Sequence, residues 1–197
     1  MTDHTAPPSD AHADTNPAAD RSAQTADGPA TEADGPITVL QVEPDARSAE
    51  LLETFAARLT DRVRIRSVGA SADAVDAVES GVDVGGERVP VDCVVTEQLL
   101  PDGTGVDLAE RLNEAGAGVH VVFHTTCPSE EGGAAAFGAG ADAYFEKGSD
   151  RGRYDALVAR IRALVAEDRG REEESEERLA SVTRSLGAPR ETLRSEE

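Results

Sequence analysis

Two runs decide the fold: VDCVVTE, Val91 to Glu97, and VHVVFHTT, Val119 to Thr126. Both are apolar on consecutive residues rather than on alternate ones, the pattern of strands buried on both faces of a parallel sheet. Both also end in side chains that carry chemistry, Glu97 in the first and Thr125 with Thr126 in the second. In an open sheet covered by helices, polar groups gather beyond the carboxyl ends of the strands, so these endings mark one edge of the molecule.

Working outward, TVLQV within Ile37 to Val42 reads as a third buried strand. Arg47 to Leu59 carries Leu51, Leu52, Phe55, Ala56 and Leu59 on one helical stripe. Arg62 to Val68 alternates Val63 and Ile65 with arginines, as a half-exposed strand near a sheet edge does. Helices are predicted over Ser71 to Glu79, Val106 to Ala115, Ser129 to Phe137 and Tyr154 to Glu167, the last with Leu157, Ile161, Leu164 and Val165 inward. A Gly-rich connection runs from Gly81 to Pro90, and Ala143 to Phe145 supplies a short last strand. Strands alternating with helices predict an α/β fold: a doubly wound five-stranded parallel sheet with right-handed crossovers, in the flavodoxin-like order 2-1-3-4-5. Its crevice then lies just after Val42, Thr96 and Phe123, beside Lys147.

Three segments are expected. Residues 1–36 form an acidic, disordered tail, since seven acids, one Arg and no apolar residue larger than Ala after the first Met leave nothing with which to build a core. Residues 37–167 form the domain, and deleting the tail should not disturb its folding. Residues 168–197 form a charged C-terminal helical extension or tail, with Leu179, Val182 and Leu186 on a narrow stripe that suits a solvated helix or a weak dimer or partner contact.

The chain holds 39 acids against 19 bases, a net charge of −20, which argues against direct binding to nucleic acid or to an anionic membrane. The acidity and the use of Arg for Lys resemble proteins of salt-loving archaea, where screening lengths fall to about 3 Å at 1 M salt. Cys93 and Cys127 make neither a disulfide framework nor a metal cluster. No apolar run approaches the roughly 20 residues of a membrane span, so a soluble, cytoplasmic protein is expected.

Lysine occurs once, at Lys147, against eighteen arginines. An ammonium on a flexible stem acts as a point charge toward a phosphate or carboxylate, whereas Arg presents a planar fork. Its position opposite the ends of the two buried runs suggests a pocket of Glu97, Thr125 and Lys147. His124 has no partner at metal or catalytic spacing and reads as a polar strand-end residue. Asp102, in PDG, reads as a turn residue.

Taken in order, the acidic stretch Glu43, Pro44, Asp45 after the first strand, TEQLLPDGTG after the third, Thr125 and Thr126 after the fourth, and Tyr144 with Lys147 at the fifth resemble the receiver domain of two-component response regulators. The resemblance covers about Ile37 to Glu167, with Lys147 twenty-two residues beyond Thr125 and Pro101 four beyond Glu97. It implies that acids after the first and third strands hold Mg²⁺, that the third-strand acid takes a phosphoryl group from a histidine kinase, and that the hydroxyl and lysine bind the acyl phosphate. By that resemblance Glu97 is the phosphoacceptor equivalent, Glu43 and Asp45 the acidic pocket, Thr125 and Lys147 the phosphate-binding equivalents, and Tyr144 the switch aromatic.

This sequence departs from the pattern where the chemistry is done. The acceptor position is Glu97 rather than aspartate, and the second acidic position falls on Pro44, which has no carboxylate. Asp45, one position late, is suited to cap the following helix. The expectation is therefore no cofactor, with Mg²⁺ binding weak or absent through the candidates Glu43, Asp45 and Glu97, and no enzymatic activity. Gly148 follows Lys147 where the family often has proline, so no cis bond is expected.

The function expected is a stand-alone, phosphorylation-independent receiver-like module of a phosphorelay, a pseudo-receiver, with Glu97 paired to Lys147 either as an imitation of the phosphorylated state or as a neutralised remnant. The alternative is a working phosphoacceptor with an atypical acidic pocket. A flavin or nucleotide binder on the same fold lacks a Gly-rich phosphate loop after the first strand. Expected partners are a histidine kinase or other signalling protein and a possible homodimer.

Overall fold

A computed structural model describes residues 35–148, 150 and 152–186 of the chain. The tail expected over residues 1–36 therefore lies almost wholly outside the described residues, as do residues 187–197 of the extension expected over 168–197. Along the chain the elements are β1 (Ile37–Val42), α1 (Ala46–Leu59), β2 (Val63–Val68), α2 (Ser71–Ser80), β3 (Val82–Val84), β4 (Glu87–Val89) and β5 (Cys93–Thr96). There follow β6 (Leu99–Leu100), β7 (Gly103–Thr104), α3 (Gly105–Glu114), β8 (His120–Thr125), α4 (Ser129–Gly138), β9 (Ala143–Glu146) and α5 (Gly152–Leu186).

Five strands make one sheet in the order β2-β1-β5-β8-β9, every pair parallel, which is the doubly wound order expected from the sequence. Two cores cover its faces. Val39, Val63, Ile65, Val95 and Val122 pack on one side against Leu52 of α1 and Leu157 and Ile161 of α5. Leu40, Val42, Val94, Val121 and Phe123 pack on the other against Ala74, Leu108 and Ala136 of α2, α3 and α4. Alternate residues of each central strand thus enter opposite cores, which is why the runs read as continuously apolar. At the edge, β2 is paired only with β1 and buries Val63 and Ile65 while Arg64 and Arg66 are exposed.

The Gly-rich connection is a hairpin, β3 against β4, turning through Gly85 and Gly86 at positive φ. A second hairpin, β6 against β7, turns through Pro101 and Asp102 immediately after the site. At its end Gly105 admits no side chain: a Cβ there would lie 2.5 Å from the Glu97 carbonyl oxygen and 2.8 Å from the Phe123 ring. The last helix corrects the expected end at Glu167, for α5 runs unbroken over 35 residues to Leu186. The acid-rich run is good helix-forming sequence, with glutamates and arginines at three- and four-residue spacing. Leu179 and Val182 are exposed on it.

Candidate functional site

Backbone pairing brings the site together. The N–H of Glu97 donates to the Val42 carbonyl at 3.0 Å, that of Glu43 to Val68 at 2.9 Å and that of Lys147 to Thr125 at 2.7 Å. Residues far apart in sequence are thereby aligned at the carboxyl ends of neighbouring strands.

The Lys147 ammonium lies between two carboxylates, bonding Oε2 of Glu43 and, at 2.7 Å, Oε2 of Glu97. Its side chain is 14% exposed, against 4% and 8% for Glu43 and Glu97, so solvent screens the cluster poorly. The other lone pairs are also met. Glu97 accepts from the Thr125 hydroxyl, from the Gln98 N–H at 2.6 Å and from the Thr126 N–H at 3.4 Å. Glu43 accepts from the Asp45 N–H at 3.0 Å.

Burial alone would raise the pKa of Glu97, but the Lys147 ammonium and the Thr125 hydroxyl hold it below the ordinary glutamate value. Burial likewise opposes the charged form of Lys147, yet hydrogen bonds and the field of Glu43 and Glu97 raise its pKa. Both groups are therefore charged near neutrality.

Tyr144 extends the arrangement. Its ring stacks on Phe123 with centroids 5.6 Å apart, and its hydroxyl donates to the Cys127 carbonyl at 2.9 Å. Burial, then this environment, pushes its pKa up. Gly132 leaves the room required, since a Cβ there would come within 2.8 Å of the Tyr144 hydroxyl. Cys127 N–H donates in turn to the Thr125 hydroxyl oxygen at 3.0 Å, so one loop joins Glu97, Thr125 and Tyr144.

Asp45 is not brought into the pocket. It caps α1, accepting from the Ser48 N–H at 3.1 Å and its hydroxyl at 2.8 Å, and these bonds hold its pKa low. Pro44 supplies neither a carboxylate nor an N–H. The donor set does not fit Mg²⁺, which needs near-octahedral oxygens at about 2.0–2.1 Å: the two inward carboxylates are both engaged by an ammonium. Among the described residues no group of three or more His, Cys, Asp or Glu is arranged to hold a metal.

Two residues do more than the sequence reading allowed. Asp102 reaches back from the β6–β7 turn and accepts the Ser71 and Ala72 N–H groups, both at 2.8 Å, capping α2, whose own N-cap is Ala70. Those bonds hold its pKa low. His124 is a core residue: its ring lies edge-on to Tyr154 at 5.5 Å, and Tyr154 stacks on Phe55 at 4.4 Å. Burial, then the nearby Lys147 charge, lowers its pKa to about 4. Only the PDG turn and an aromatic or apolar setting for His124 could have hinted at either role; spacing carried no sign of them.

Comparison with known proteins agrees with this architecture. The response regulator receiver domain model matches residues 39–161, and the chain belongs to that family. Among curated proteins it is similar to the cell cycle transcriptional regulator CtrA of Caulobacter vibrioides, 26% identical over 132 residues. That match covers 67% of this chain and 52% of CtrA, so the chain spans about half the length of this relative. Among solved structures it shares its fold with the receiver domain of Francisella response regulator 1452, at TM-score 0.57 and 17% identity over 67% of this chain and 98% of that one. It also resembles the response regulatory domain of protein mrkE from Klebsiella pneumoniae, at TM-score 0.55 and 18% identity over 66% and 99%. The chain is thus a receiver domain protein of two-component signalling, a signalling module of a family that interacts with histidine kinases. Among the described residues no helix is long and apolar enough to cross a membrane.

Proposed function

We propose that this chain is a receiver module that signals without aspartyl phosphorylation, with Glu97 at the phosphoacceptor position and Lys147 as its permanent counter-ion. The observation that carries this reading is the seating of the Lys147 ammonium against both Glu43 and Glu97. Phosphoryl transfer to a carboxylate depends on positioning and on charge neutralisation by a metal. Here the neutralising charge belongs to the protein, and the Glu97 carboxylate is further engaged by Thr125 and Gln98. The pocket acts as a fixed strut. Glu97 holds Thr125, the Cys127 N–H follows Thr125, and the Cys127 carbonyl receives Tyr144, so the loop after β8 and the aromatic of β9 are kept in one arrangement. Output then passes through contacts with a histidine kinase or another signalling protein.

The test is intact mass after incubation with acetyl phosphate and Mg²⁺. No phosphoryl adduct is expected. An adduct that disappears in Glu97→Gln would replace this reading with that of an atypical phosphoacceptor using Glu43, Asp45 and Glu97. Combining Pro44→Asp with Glu97→Asp should restore Mg²⁺ binding more than either change alone, because the metal requires both ligands.

A further inference from the structure

The strand that enters the sheet is held at its start by two arginines. Arg62 donates to the Gly35 carbonyl at 3.5 Å, while Arg169 donates to the Gly35 and Pro36 carbonyls at 3.2 and 2.9 Å. Gly35, where the described residues begin, therefore lies between two surfaces of opposite character. On the α5 side lie Glu172, Glu173 and Glu176, which with Arg169, Gly35 and Pro36 line a shallow cavity. On the other side is the outer edge of β2, where Arg62 leads into Arg64 and Arg66 at two-residue spacing on one face.

Cations are placed there against the trend of the chain, whose net charge is −20. The Arg64 side chain makes no hydrogen bond or ion pair among the described residues. Arg66 donates only to the carbonyls of Asp83 at 2.9 Å and Ile65 at 3.0 Å, which leaves its charge without a carboxylate partner. Arg88 on β4, paired in register with Asp83, adds a further exposed cation beside them.

We propose that the edge of β2 is a docking surface for an acidic extended segment, and that its occupant is the chain's own residues 1–34. That segment carries seven acids and one Arg, and Asp27, Glu32 and Asp34 are its acids nearest the point of entry. The arginine row spans roughly 13 Å at about 3.3 Å per residue. The eight residue steps from Asp27 to Gly35 reach roughly 26 Å when extended, so all three acids can attain it. The α5 glutamates repel the same segment, and tethering gives it an effective concentration of about millimolar at the arginines. Docking also covers the open edge of the sheet, a surface that otherwise invites pairing with another chain.

The test uses the full chain with a nitroxide at position 30, introduced as Ala30→Cys in a Cys127→Ser background, Cys93 being buried. At about 0.1 M salt, where screening lengths are about 10 Å, the amide signals of Arg64 to Val68 should lose about half their intensity or more, and at about 1 M, with lengths near 3 Å, they should recover. Asp27→Asn, Glu32→Gln and Asp34→Asn together should abolish the effect without touching the folded domain. Arg64→Glu with Arg66→Glu should do the same. Broadening that falls instead on Glu172 to Glu176, that spreads evenly over the surface, or that survives removal of the three acids would overturn the proposal.

Discussion

The two ends of the sheet carry the same ingredients to different effect. At the carboxyl end Lys147 bridges Glu43 and Glu97, all nearly enclosed. At the amino end Asp92 pairs with Arg169 at 3.1 Å, and His120 lies between Asp142 at 3.2 Å and Asp168 at 2.9 Å. There the acids serve the backbone: Asp92 accepts the Thr38 N–H at 2.6 Å and Asp142 the Val121 N–H at 2.9 Å, each one residue before the pairing with β5 or β9 begins. The side chains of Asp92, Asp142 and Asp168 are 22%, 32% and 41% exposed, so water shares the work of solvating them. Charge clusters of similar make-up thus divide by burial into a strut and a set of staples. The buried one is also bonded to the loop after β8, through the Thr125 hydroxyl and the Thr126 N–H.

The sharpest way to break that contrast is to remove each cation. Lys147→Met should cost about 3–5 kcal/mol in denaturant unfolding, because two enclosed carboxylates lose their counter-charge. Adding Glu43→Gln and Glu97→Gln to Lys147→Met should recover most of the loss. Arg169→Ala, at the solvated end, should cost about 1 kcal/mol. Equal losses at the two ends would erase the distinction.

The pH dependence sharpens it. The raised Lys147 pKa gives stability that is complete below its unfolded value of 10.5 and lost as pH rises through the folded value. The depressed Glu97 pKa gives stability present above its unfolded 4.5 and lost as pH falls through the folded value. The contribution of Lys147 and Glu97 should therefore be flat across neutrality. His124 behaves differently: its folded pKa of about 4 lies below the unfolded 6.5, so stability is full above 6.5 and falls as pH drops toward 4. At 1.36 kcal/mol per pKa unit that loss is on the order of 3 kcal/mol. His124→Phe should flatten the stability profile between those pH values, measured by urea midpoints. An unchanged slope would mean the histidine is not the buried titrating group.

A small, local effect is expected of Asp102→Ala, which leaves the α2 N-terminus without its cap. Hydrogen exchange should quicken in the first turn of α2 before it does elsewhere. Loss spread evenly over the sheet would assign Asp102 to the site rather than to the helix.

Much of this was legible in the chain. Continuous apolar runs at Val91 to Val95 and Val119 to Phe123 signalled central parallel strands, and alternation at Arg62 to Val68 signalled the edge, because burial on two faces or one leaves different periods. The ordered polar residues at strand ends named Glu97, Thr125 and Lys147 as neighbours. Less legible were the β3–β4 hairpin, whose strands are three residues each, and the unbroken course of α5, where a polar face gives no inward period to follow.

The sequence by itself determined the sheet, its edge and the company of its only lysine, since these follow from local periodicity and from the rule that strand ends share one side. Tertiary structure alone decided the partners. It gave Lys147 a second carboxylate in Glu43, turned Asp45 away to its helix, sent Asp102 across to α2 and buried His124 with its ring edge-on to Tyr154. Those choices depend on distances between side chains remote in sequence and on how much water each retains, and neither quantity is written in the order of residues.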